Sequence, residues 1–132
     1  MSQENVESSR RMWDRFLAGD IPGNLAVLDA EVEVHDVPEL PGGSVYHGHA
    51  GYLEQIAKFR EAFEQIDYRV LEHIDCGENV VTVTEATGTA TGSGITGTVT
   101  YAQVETWRDG KVVSIRYFLS KEAALEAAGL RE

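Results

Sequence analysis

The second half of the chain alternates. YRVLEHIDC (68–76), VVTVTEATGTAT (80–91), ITGTVTYAQVETW (95–107) and KVVSIRYFL (111–119) carry the two-residue period and β-branched content of strands. Between them lie only Gly77 to Asn79, TGSG and RDG. Links that short join antiparallel neighbours, and Asp-Gly is a favoured hairpin pair. The pattern therefore predicts an antiparallel sheet, and the first half must supply what covers it.

That first half reads mostly as helix. Val6, Met12, Trp13, Phe16 and Leu17 recur at three- and four-residue steps over residues 3–18, with Gly19 as the stop. Ser2 with Asn5 is a weak start signal, since Asn is not the Glu or Gln of a capping box. IPGNLAVLDA (21–30) reads as a short second helix with Pro22 in its first turn. EVEVHD (31–36) alternates strictly and predicts a strand with Val32, Val34 and Asp36 on one face and His35 on the other. VPELPGGSV is a loop. From His49 to about Gln65 the helical period returns, with Tyr52, Leu53, Ile56, Phe59, Phe63 and Ile66 as its buried stripe. SKEAALEAAG (120–129) is a helix with Ser120 as N-cap and Gly129 at its end. The predicted order is α-α-β-α-β-β-β-β-α, an α+β fold. The threonines between 82 and 100 fit a twisted, half-exposed hairpin.

Composition narrows the partners. The chain has 132 residues, 42% of them apolar and 25% charged, so one domain spanning 1–132 with its own core is expected. A net charge of −11 argues against nucleic acid and against an anionic membrane surface. Cys76 is the only cysteine, so no intrachain disulfide is available. The polar N-terminus lacks the apolar core of a signal peptide, and the expected location is the cytoplasm.

Metal and cofactor motifs are missing. A zinc or iron site needs three or four ligands at workable spacing. YHGHAGY (46–52) holds His47 and His49, but a glycine separates them where two side chains diverge, and no H-E-x-x-H pattern exists. No nucleophile elbow, phosphate loop or dinucleotide fingerprint appears. No metal and no organic cofactor is expected.

FLAGD (16–20), LDAEVEVHD (28–36), YHGHAGY, WRDGKVVSIRYF (107–118) and KEAALEAAGL (121–130), in this order and spacing, resemble the SnoaL-like branch of the nuclear transport factor 2-like superfamily. The resemblance covers nearly the whole chain. It implies a cone-shaped, curved antiparallel sheet wrapped around the N-terminal helices and enclosing a pocket, the cystatin-like arrangement. It also implies pairing through the sheet as a homodimer. Members include cofactor-free polyketide cyclases, ketosteroid isomerases and non-catalytic binding modules, so fold alone does not select an activity.

Ketosteroid isomerases use a carboxylate base with a tyrosine and a protonated aspartate as oxyanion donors. By this resemblance the base falls on Asp36 and the tyrosine on Met12. The second acid falls on Gln103 with a one-residue gap, and a supporting tyrosine on Ile56. Gln103 can still donate a hydrogen bond but cannot supply a proton as an acid. Steroid isomerisation of the familiar kind is not expected.

Period two groups Tyr101, Gln103, Glu105 and Trp107 on one strand, Ile115, Tyr117 and Leu119 on another, and Val81, Val83 and Glu85 on a third. If those faces turn inward, Asp36 and Gln103 form a catalytic pair. Met12, Phe16, Val34, Tyr52, Ile56, Glu85, Tyr101, Glu105 and Tyr117 then line the substrate pocket. Trp13 and Trp107 read as core, and His73 as structural. The leading expectation is acid–base work on a hydrophobic carbonyl compound by a cofactor-independent isomerase or cyclase. The alternative is a non-catalytic dimeric module that binds a ligand or a protein partner.

Overall fold

The computed structural model describes residues 2–37 and 45–129. The proline-rich loop at 38–44 and the Ser2 side chain lie outside the described residues. The order is α1 (Ser2–Leu17), α2 (Ile21–Leu25), β1 (Leu28–His35), β2 (Val45–His47), α3 (Gly48–Ala62), β3 (Phe63–Cys76), β4 (Asn79–Ala90), β5 (Thr96–Arg108), β6 (Lys111–Phe118) and α4 (Lys121–Ala127). The six strands form one curved, open sheet in the order β2-β1-β6-β5-β4-β3. β3 to β6 are the expected antiparallel meander, and β1 joins it parallel to β6. No helix among the described residues is long and apolar enough to cross a membrane.

Local chemistry explains the turns and caps. Asp109 and Gly110 both take positive φ, 54° and 78°, as a two-residue Asp-Gly hairpin requires. Ser120 accepts a hydrogen bond from the Ala123 backbone and starts α4, a cap worth about 1 kcal/mol. Asp20 caps α2 in the same way through Gly23.

Four details differ from the pattern read in the sequence. α2 stops at Leu25 and β1 starts at Leu28, because VLDA follows strand rather than helix. β2 is an additional short strand; its pairing Val34↔Tyr46 spans the loop at 38–44. α3 ends at Ala62, so Phe63 and Ile66 belong to β3, and Gln65 with φ 53° marks an irregular strand start. On β4 the inward face is also the other one. Val80 and Thr82 pair with Glu105 and Gln103, so Val80, Thr82, Thr84 and Ala86 turn inward while Val81, Val83 and Glu85 turn outward.

Two apolar clusters explain that last point. One packs α1 and α3 onto the concave face and includes Met12, Trp13, Val32, Val34, Tyr52, Trp107 and Ile115. The other packs Ala124 and Ala128 of α4 onto the convex face, over Val81, Val83, Ala102 and Val104. Val80 to Thr84 are therefore all buried, and a strand covered on both faces shows no alternation.

Candidate functional site

A cavity of about 230 Å³ lies between the concave face and the two long helices. α1 contributes Met12, Trp13 and Phe16, which share one helix face by their spacing. α3 contributes Tyr52, Gln55, Ile56 and Phe59, and β3 contributes Tyr68. From the sheet, Tyr101 and Gln103 on β5 and Ile115 and Tyr117 on β6 face it, with Gln103 paired across to Tyr117. Asp36 and Val37, just past the end of β1, complete one side, with Val99 and Leu119 at strand ends. Trp13, Phe16 and Tyr68 meet edge to face, at centroid distances of 5.5, 6.3 and 5.3 Å, and fix one aromatic wall.

Behind this wall sits a buried carboxylate. Glu105 has no exposed surface. It accepts from Ser9 Oγ at 2.6 Å, Gln103 Nε2 at 2.6 Å, Thr82 Oγ1 at 3.1 Å, Trp13 Nε1 at 3.2 Å and Trp107 Nε1 at 3.4 Å. Burial raises its pKa, and the bonds from Ser9, Gln103, Trp13 and Thr82 offset only part of that rise. The two indole N–H groups can only donate, so the site demands an acceptor. The Ser9 and Thr82 protons point at Glu105, so His73 Nδ1, 3.1 Å from each hydroxyl oxygen, is the donor to them. Burial, then Arg10, lowers the His73 pKa and keeps the ring neutral near pH 7.

This network orients the cavity floor. Glu105 takes one N–H of Gln103, which holds the amide nitrogen on its side. The other N–H and the carbonyl oxygen of Gln103 remain for the cavity. Tyr52 is fixed likewise: its hydroxyl donates to Asn24 Oδ1 at 2.6 Å, and Asn24 Nδ2 donates to the Met12 carbonyl at 3.2 Å. Burial pushes the Tyr52, Tyr101 and Tyr117 phenols far up, so all three stay neutral at ordinary pH. Tyr117 makes no side-chain hydrogen bond among the described residues, which leaves its O–H for a ligand. Asp36 is half-buried and also has no hydrogen-bond partner among them. The site thus offers a carboxylate, an amide and a phenol in an apolar enclosure.

The model of the SnoaL-like domain matches residues 9–115, which hold all of the cavity lining but Tyr117 and Leu119. The chain belongs to the SnoaL-like domain family. This SnoaL-like chain is also similar to solved structures over nearly its full length. A nuclear transport factor 2-like protein from Burkholderia xenovorans is 31% identical, with 97% of each chain covered and a TM-score of 0.76. A protein from Jannaschia assigned as a SnoaL-like polyketide cyclase is 21% identical, with 99% of this chain and 95% of that one covered and a TM-score of 0.77. TerC co-crystallised with polyporic acid is 24% identical, with 95% and 98% covered and a TM-score of 0.75. No curated protein matches the chain at a significant level.

Within the SnoaL-like frame, the residues singled out by sequence separate into three groups. Asp36, Gln103, Met12, Phe16, Tyr52, Ile56, Tyr101 and Tyr117 line the cavity. Val34 and Glu105 are fully buried behind it, Glu105 as the anchor of Gln103 rather than as a lining group. Glu85 does not reach it: the outward face of β4 carries it next to Arg69, 3.8 Å away. Trp13, expected in the core, both lines the cavity and donates to Glu105. Asn24 and Tyr68 were not singled out. Ser9 carried a readable signal, since a serine within the apolar stripe of α1 calls for a buried partner.

YHGHAGY is architecture. His49 Nε2 bonds the Leu28 carbonyl at 2.9 Å. Gly48 has φ +71°, and a Cβ there would lie 3.2 Å from the Ala30 carbonyl oxygen. A Cβ on Gly51 would lie 2.9 Å from the Tyr46 backbone, so α3 packs onto β2 only with glycine there. Among the described residues no cluster of His, Cys, Asp or Glu is arranged to hold a metal ion.

Proposed function

We propose that the cavity binds a hydrophobic, ring-bearing carbonyl compound and that Asp36 acts on it as a general base without a cofactor. The observation that carries this reading is that Asp36 and an amide pre-oriented by Glu105 open on one apolar cavity. Asp36 would take a proton from the carbon next to the carbonyl. The enolate oxygen would accept from the Gln103 N–H and the Tyr117 O–H. Protonated Asp36 would then return the proton to a second carbon, an isomerisation, or to the alkoxide formed when the enolate carbon closes onto another carbonyl, a cyclisation. Atoms and charge balance in both cases without a co-reactant. The SnoaL-like family, the Jannaschia protein assigned as a SnoaL-like polyketide cyclase and TerC with polyporic acid support this choice of ligand class.

A second reading has its own observation. Met12 is a buried wall residue where ketosteroid isomerases place a tyrosine, so the strongest electrophile is missing. On that reading the chain is a ligand-binding module that works as a homodimer.

Binding of α-tetralone, followed through Trp13 fluorescence with Trp13→Phe as the control, tests the shared premise. Micromolar to millimolar binding that Ile56→Trp abolishes by filling the cavity is expected. Absence of binding, or binding indifferent to Ile56→Trp, contradicts both readings.

A further inference from the structure

A second depression opens where the β4–β5 hairpin projects beyond the core. It is an apolar trough of about 300 Å³. Phe59 and Val99 line both it and the cavity, so the two adjoin. Its floor is unusual. Gly88 and Gly97 face each other directly across the two strands, flanked by Ala86 and Ala90 on β4, by Val99 on β5 and by Ile95 just before β5. A Cβ on Gly88 would make only ordinary contact, 3.4 Å from Ile66 and 3.5 Å from Phe63, and one on Gly97 would meet nothing within 4 Å, so packing requires glycine at neither position. Glycine inside a strand weakens it and often marks a close approach by a ligand or another backbone. The opposite face of the same hairpin is polar and tied together, with Thr87–Thr98 at 2.9 Å and Thr89–Thr96 at 3.0 Å between hydroxyls. The apolar face, by contrast, leaves Ile95 70% and Val99 46% exposed.

Size points the same way. The cavity alone falls short of the roughly 300–1,000 Å³ of ordinary ligand sites. With the trough added it lies within that range. From Val99 back to Ile95, just before β5, extended chain covers about 13 Å, the length of a medium alkyl chain.

We infer that the trough over Gly88 and Gly97 takes an extended apolar tail of the ligand whose carbonyl head lies at Asp36 and Gln103. The inference rests on the proposed function above and adds a substrate class to it: a ring-bearing ketone that carries a linear hydrocarbon arm.

The test compares α-tetralone with 6-octyl-α-tetralone on the full chain, by calorimetry and sedimentation. Wild type is expected to bind the octyl compound at least about 100-fold more tightly, from the methylenes withdrawn from water. Gly97→Phe, which fills the trough where space is free, is expected to erase most of that preference and leave α-tetralone affinity within about threefold. Ile95→Glu, at an exposed position that folding does not need, is expected to reduce it about tenfold. Equal affinity for both probes, or an octyl preference that Gly97→Phe and Ile95→Glu leave intact, overturns the inference while the cavity reading stands. Failure of α-tetralone itself to bind removes the cavity reading instead. If Gly97→Phe converts a dimer to a monomer without changing the preference, a second copy occupies the trough and the inference is wrong.

Discussion

The two ends of the concave face are built differently. Around Glu105, five donors converge on one carboxylate and surface exposure falls to nothing. Around Val99 and Leu119, apolar side chains remain about half exposed and the hairpin beyond carries glycines. The closed end spends polar groups on rigidity; the open end leaves apolar surface unpaired. Gln103 lies at the junction, with its amide held by the first and its free valences facing the second. A ligand site of this form needs both: fixed polar groups to orient, and unfilled apolar surface to bind.

The largest predicted asymmetry is in stability. Glu105→Leu strands two indole N–H groups, two hydroxyls and an amide in the core, and should cost about 3–5 kcal/mol, the range for leaving a buried polar set without its charged partner. Urea unfolding measures this, and a cost below about 1 kcal/mol would mean the closed end is not the rigid part. Tyr52→Phe, which loses one bond to Asn24, should cost about 1 kcal/mol. Val99→Ala at the open end should cost less than about 0.5 kcal/mol by the same measurement, because little is buried there.

Acidity probes the closed end through His73. Its folded pKa is lowered, so between that value and the unfolded value near 6.5 the unfolded chain binds the extra proton. Stability from this group is complete above about pH 6.5 and is lost as pH falls through the window. The melting temperature of wild type should therefore drop more between pH 7.5 and 5.5 than that of His73→Asn, whose amide can still donate to Ser9 and Thr82. Equal drops would place His73 outside the network. The smallest effect belongs to the convex face: Glu85→Gln should change ligand affinity not at all and stability by less than about 0.5 kcal/mol, since its partner Arg69 is a surface residue. A lost ligand affinity would return Glu85 to the site.

What the sequence revealed follows the same division. On β5 the residue types alternate although Ala102 to Glu105 are buried on both faces, and Tyr101, Gln103, Glu105 and Trp107 share the expected face. β4 hides its facing because α4 covers the side that would otherwise be polar, so Val81, Val83 and Glu85 read as an inward group but turn outward. β3 changes parity at the irregularity between Val70 and Glu72, which turns His73 toward Thr82 and which no local pattern announces. Glu105 was placed on the right face, but its partners come from Ser9 and Trp13, more than 90 residues away in the chain. Sequence period assigns a side chain to a face; it does not reveal which distant donors meet it there.

The claim that joins both ends is base chemistry at Asp36, and proton exchange reads it without a known substrate. With α-tetralone bound in deuterated water, NMR should show wild type accelerating deuterium entry at the carbon beside the carbonyl. Asp36→Asn should bind the ketone within about threefold and lose at least about 100-fold of the exchange rate. Bound ketone that exchanges no faster than in buffer, or equally fast with Asp36→Asn, would contradict it.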